Sequence, residues 1–115
     1  MIVTRIADAN PYDAPRHFDM RAMRLHGFDV SPSQSFWVGL SQFLPGGGAE
    51  GDAGPLEKVY VVVDGTVTIT TDEGDTELQA LDSCYIPGGE WRAVTNRTDR
   101  PASMIVIMPH PDGVR

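Results

Sequence analysis

The chain is short of several things, and each shortage narrows what it can be. It carries one cysteine, one lysine and three histidines in 115 residues. A lone Cys84 rules out an intramolecular disulfide and a cysteine-built metal site. With Tyr85 and Ile86 after it in an apparent strand, Cys84 reads as a packed, inert thiol rather than a nucleophile. No apolar run approaches a membrane span, and the first residues lack the basic-then-apolar layout of a signal peptide. A cytoplasmic location is therefore expected. Positive charge is scarce too: nine Lys and Arg stand against sixteen Asp and Glu, a formal charge of −7. That balance argues against nucleic acid or an anionic membrane as partner. Between Asp29 and Glu90 there are eleven acidic side chains and a single basic one, Lys58. A solvated acidic surface accounts for the carboxylates; the isolated lysine is the odd feature.

What is present reads as one small β domain. Residues 1–16 carry Pro11, Pro15 and an Asn-Pro step and suggest an extended arm with turns. His17 to His26 fits either a strand or a helical stripe; a strand bulged near Met23 agrees better with the β character of the later segments. Ser35 to Leu44 reads as a strand stopped by Pro45-Gly46-Gly47-Gly48, with a loop from Ala49 to Pro55. Val59 to Val63 is an apolar strand ended by Asp64-Gly65, which is hairpin chemistry. Thr66 to Thr71 alternates as a half-buried strand does, and residues 72–75 turn the chain. Short strands over Leu78–Leu81, Cys84–Ile86, Trp91–Thr95 and Ala102–Met108 complete an all-β sandwich or barrel.

The segment Pro45 to Asn96 resembles the two signature motifs of the cupin superfamily. Gly46 and Gly65 match the glycines that bracket the first motif. Pro87, Gly89 and Asn96 match the second, whose opening glycine is replaced by Leu81. The resemblance covers about half of the chain. It implies a single-domain jelly-roll barrel over residues 31–110, an N-terminal arm and edge strand over 1–30, and a tail at 111–115. It also implies a homodimer, with the N-terminal stretch as its candidate contact; the competing reading is that this stretch caps one end of the barrel.

The departures from the motifs decide the chemistry. Metal-binding cupins hold a divalent ion with two histidines, a glutamate and a later histidine. Here those places hold Asp52, Gly54, Lys58 and Arg92. Glycine has no ligating side chain, and lysine and arginine offer only donors. No metal and no cofactor are therefore expected. A one-residue slip would put Glu57 in the glutamate place and turn Lys58 and Tyr60 outward. His17 and His110 could be recruited only from the ends of the chain.

With Lys58 and Arg92 facing inward, period two places Tyr60, Val62, Val94 and Asn96 on the same lining. The last strand offers either Met104, Val106 and Met108 or Ile105 and Ile107. An apolar cavity holding cations suits a small carboxylate-bearing metabolite. The site expected on this basis has Lys58 and Tyr60 as catalytic groups, with Arg92, Asn96, Asp52 and Gln42 as ligand contacts. Three functions remain open. One is a metal-free decarboxylase, isomerase or lyase. The second is a non-catalytic binding or sensor module. The third is a metal enzyme with atypical ligands. Internal neutralisation competes with all three, Lys58 pairing with Asp52 or Glu57 and Arg92 with Glu90.

Overall fold

A computed structural model describes residues 1–111. The expected tail, apart from Pro111, lies outside the described residues. Among those described there is no α-helix. The strands are β1 (Asn10–Tyr12), β2 (His17–His26), β3 (Phe36–Asp52), β4 (Lys58–Asp64), β5 (Thr66–Thr71), β6 (Gly74–Gln79), β7 (Ser83–Ile86), β8 (Arg92–Thr95) and β9 (Ala102–Pro109). They pair antiparallel in the order β6-β5-β8-β3-β9-β4-β7, with β2 laid on β3 and β1 folded back on β2. The result is a nearly closed all-β barrel, as the strand pattern indicated.

Strand β3 organises the barrel. Its first half, Phe36 to Phe43, pairs with β9, and its second half, Gly48 to Asp52, pairs with β8. Pro45-Gly46-Gly47-Gly48 is thus not the end of a strand but a bend within one. Gly46 has φ +84°, a conformation that side chains resist. A Cβ at Gly47 would overlap the Asp19 carbonyl, and one at Gly48 the Val94 carbonyl. Glycine is needed here because three backbones approach closely, and composition alone made that look like a loop. Asn96 clamps the bend. Its backbone exchanges hydrogen bonds with Gly46 and Gly47, each at 2.8 Å.

Three other expectations are corrected. Asp64-Gly65 is not a hairpin: β4 pairs with β7 and β9, whereas β5 pairs with β6 and β8. Gly65 is a corner where the chain passes from β4 to β5, which does not pair with it, and a Cβ there would overlap the Pro101 carbonyl. The irregularities of β2 lie between Phe18 and Met20 and between Arg24 and His26, on either side of Met23. The strand expected over Leu78–Leu81 begins earlier, at Gly74, and ends before Leu81.

The core repeats the alternation of the strands. Tyr60 and Val62 of β4, Val67 and Ile69 of β5, Val94 of β8 and Ala102 and Met104 of β9 are buried with Phe43. Each large apolar side chain placed there contributes roughly 1.5–3 kcal/mol. Cys84 packs against this cluster, and burial pushes its thiol pKa up, as an inert cysteine requires.

Leu81 stands where the family pattern has glycine, and it has φ +75° with its side chain 83% exposed. The backbone therefore carries a cost that no packing offsets. Leu81→Gly is expected to stabilise the fold by about 0.5–1 kcal/mol, once the extra chain entropy of glycine is subtracted. Urea midpoints check this, and an equal gain from Leu81→Ala would show that the backbone conformation is not the cause.

Candidate functional site

Burial along β4 alternates so that Lys58, Tyr60 and Val62 face inward. Along β8, Arg92 and Val94 face inward. Lys58 is 5% exposed and Arg92 9%. The alternative register is excluded, since Glu57 points outward and its carboxylate accepts a hydrogen bond from the Tyr85 hydroxyl at 3.0 Å. On β9 the inward set is Met104, Val106 and Met108.

A cavity of about 200 Å³ occupies the barrel interior. Trp37, Phe43 and the two methionines Met104 and Met108 form much of its apolar wall. Tyr12, Ala14 and Pro15 of the N-terminal arm line it on another side. Tyr12 meets Trp37 edge to face at 6.3 Å, and the Arg24 guanidinium lies 4.5 Å from the Tyr12 ring centre. The N-terminal arm thus helps to wall the cavity.

The polar groups of the lining are Arg92, Tyr60, His17, Ser41 and Arg24. Arg92 Nε donates to the Tyr60 hydroxyl oxygen at 2.8 Å, and Arg92 Nη1 donates to the Glu50 carbonyl at 3.1 Å. Burial raises the Tyr60 pKa against the opposing pull of Arg92, so the phenol keeps its proton at neutral pH. His17 opens β2 opposite Ala49, and its Nδ1 lies 2.8 Å from the Pro15 carbonyl oxygen. Burial holds the His17 pKa below its ordinary value, and Arg92 and Arg16 act in the same direction against the Pro15 hydrogen bond.

Internal neutralisation is not what the structure has. Among the described residues the ion pairs are Arg16–Asp52 at 3.0 Å and Arg97–Asp75 at 2.6 Å. Neither Lys58 nor Arg92 is in such a pair. Lys58 Nζ donates to the Leu56 carbonyl at 3.1 Å. Burial lowers the Lys58 pKa, Arg92 lowers it further, and Asp52 partly opposes them. Among the described residues no carboxylate lines the cavity. It is a cationic, aromatic-walled space.

The expected site residues divide accordingly. Tyr60 and Arg92 are in contact and line the cavity. Lys58 lies on the inner face, yet it lines an adjoining cleft of about 240 Å³ with Glu57, Phe36 and Tyr85 rather than the cavity itself. Asn96 is not a ligand contact: its Nδ2 donates to the Phe43 and Arg100 carbonyls, and its Oδ1 accepts from Thr98 N and Oγ1. Gln42 is corrected as well. It neighbours the inward Ser41 and Phe43 and so faces the outer side, where it lines a surface hollow with Arg21 and Ser103. Asp52 is bound to Arg16 and is absent from the lining. The residues that sequence reasoning passed over are His17, Arg24, Tyr12 and Trp37. His17 was noticed only as an end-of-chain histidine, and its pairing with Ala49 had no local signal. His110 is not on the surface either: it is buried, 5.1 Å from the Phe28 ring.

The residues at the metal positions do not fit an ion. Asp52 is neutralised by Arg16, Gly54 has no side chain, and Lys58 and Arg92 donate hydrogen bonds and carry positive charge. Among the described residues no three His, Cys, Asp or Glu side chains converge as ligands.

Comparison with known proteins agrees with the barrel. A model of the Cupin domain matches residues 39–108, and the chain belongs to that family. Over 111 residues it is 44% identical to a Mycobacterium tuberculosis protein named Beta-D-galactosidase Rv1717, covering 96% of each chain. The polyketide cyclase RemF from Streptomyces resistomycificus superposes with a TM-score of 0.87 at 18% identity, covering 100% of this chain and 84% of that one. A Cupin 2 conserved barrel protein from Salinispora arenicola gives 0.78 at 20% identity, covering 97% and 91%. At those identities the two structures speak for the fold alone. No helix among the described residues is long and apolar enough to cross a membrane.

Lys58→Met removes a buried charge while keeping the length of the side chain. A lowered lysine pKa means that the fold holds the proton less firmly than the unfolded chain does. Stability from this group is therefore least at neutral pH, recovers as pH rises through the lowered value, and is complete above about 10.5, the unfolded value. Lys58→Met is expected to melt at or above the wild-type temperature at pH 7, with the difference shrinking as pH approaches that value. A variant that melts well below wild type at pH 7 would mean that the ammonium has a stabilising partner.

Proposed function

We propose that this cupin is a metal-independent protein that binds a small, carboxylate-bearing metabolite with an apolar or aromatic body inside its barrel. The observation that carries this reading is the buried Arg92 guanidinium, which lines a cavity without a carboxylate and has only neutral oxygens as partners. Asp52 attracts Arg92 from outside the lining but is paired with Arg16, so the buried guanidinium is only partly compensated; that is costly, and an incoming anion lowers the cost. Guanidinium matches a carboxylate in a two-point pair, and the aromatic and methionine wall receives the rest of the molecule. An enzyme of the isomerase, lyase or decarboxylase kind and a non-catalytic sensor both fit this cavity. Recovery of the ligand unchanged separates them. A homodimer is part of the same reading, supported by the exposed Met1, Ile2, Val3 and Ile6.

The second reading is carbohydrate hydrolysis, which the 44% identity to the protein named a β-D-galactosidase favours. Most glycoside hydrolases work with two carboxyl groups flanking the bond to be cut. The cavity lining supplies none, which is why we place this reading second. Turnover of a nitrophenyl β-D-galactoside by the purified chain, lost on Asp52→Asn, would reverse the order.

Benzoate is a simple probe of the first reading. It is expected to raise the melting temperature of the wild type in a concentration-dependent way. Arg92→Leu should weaken it by about 10–100-fold, the worth of a charge-assisted hydrogen-bond pair. Arg97→Leu, which alters a surface ion pair, should leave binding unchanged. Equal binding by both variants would place the anion elsewhere.

A further inference from the structure

We propose that His17 is a general base for the cavity, with the Arg92–Tyr60 pair as its oxyanion partner, and that the reaction it serves is proton removal from carbon next to a carbonyl. The inference rests on the anion-binding reading above and goes beyond it by naming the reacting atoms. A carbonyl oxygen can only accept, so the 2.8 Å contact between His17 Nδ1 and Pro15 O fixes the hydrogen on Nδ1. In the neutral ring the lone pair is then on Nε2, at the opposite edge of an imidazole that lines the cavity.

The ring stays neutral for electrostatic reasons. Among the described residues, the charged and titratable groups around the cavity and its lining are Tyr12 and Arg16 on the arm, Arg24 on β2, Asp52 on β3, Lys58 and Tyr60 on β4, Cys84 on β7 and Arg92 on β8. Cations predominate, and the Asp52 carboxylate is paired with Arg16. Burial, with Arg92 and Arg16, disfavours imidazolium against the opposing Pro15 hydrogen bond. The Tyr60 oxygen accepts from Arg92 Nε, which leaves the phenol hydrogen to donate. A phenol O–H polarised by a guanidinium is a suitable partner for an oxygen that gains negative charge.

The step balances within the site. A C–H bond next to a carbonyl breaks, and its proton goes to His17 Nε2. Its electron pair forms the carbon–carbon double bond of the enolate, and the charge moves onto the carbonyl oxygen, which takes the Tyr60 hydrogen bond. Returning the proton completes an exchange, or an isomerisation where it returns to another carbon. No oxidant or added group is required. The substrate class is a 2-oxo acid with an apolar or aromatic body, its carboxylate held by a cavity cation.

Phenylpyruvate in deuterated buffer tests this, with loss of the C3 proton signal followed by proton NMR and the protein-free rate subtracted. Wild type should accelerate exchange, with a rate that rises with pH through one ionisation below about 6.5 and is flat above it. His17→Gln should lower the rate at least 100-fold while benzoate binding changes by less than about threefold. Long-range proton–nitrogen NMR of the wild type should find His17 Nε2 unprotonated at pH 7. A proton on Nε2, or exchange unaffected by His17→Gln, would overturn the assignment. Benzoate binding without any exchange would overturn it too and leave the anion-binding reading standing. Failure of both benzoate and phenylpyruvate to bind would remove that reading, and this one with it.

Discussion

The barrel depends on one strand passing through a bend where side chains cannot go. β3 leaves β9 and joins β8 within a single run, and the change of partner is made at Gly46-Gly47-Gly48. There the Asp19 and Val94 carbonyls lie so close that a Cβ would overlap them. Asn96 fastens the bend from the other side through its backbone, and its amide ties the turn after β8 to Phe43 and Arg100. The clamp adds to the pairing of β8 with β3 and β5 that sets the register of Arg92 on the barrel's inner face.

The cavity's chemistry comes from its position behind this bend. In a low-dielectric interior a guanidinium whose hydrogen-bond partners are neutral oxygens exerts a strong field on its neighbours. Tyr60 is held protonated by burial, and Lys58 and His17 are pushed toward their neutral forms. The family's usual solution to a polar barrel interior is a divalent cation, with ligands to match. Here the positive charge is covalently attached, and the lining is left with donors, aromatic faces and one imidazole. On the reading proposed above, such a space would complement an anion with an apolar body, and His17 would be its base.

Much of the architecture was legible in the residues. Period-two alternation in Thr66–Thr71 and the apolar run Ala102–Met108 marked true strands, and Gly46, Gly65, Pro87, Gly89 and Asn96 fell at the spacing of the family motifs. The replacements at 52, 54, 58 and 92 were legible as a loss of ligands. Less was legible where one residue type has several uses. The glycine run read as a loop because glycine marks both turns and close backbone contact, and Asp64-Gly65 read as a hairpin because corner and hairpin share the same need for a positive φ. Asn96 and Gln42 were placed in the site by parity and motif, yet Asn96 spends its hydrogen bonds on a turn and Gln42 lies on the outer face.

Residue order alone thus settles the class of fold and the loss of the usual ligand residues, because alternation and motif spacing are local properties; which of the two β4 registers faces inward was decided by the fold. The composition of the cavity belongs to the folded chain. His17 enters because β2 pairs with the second half of β3, and Tyr12 and Trp37 meet because the arm folds back. Those are contacts between segments far apart in the chain, and only backbone pairing across the sheet brings them into register.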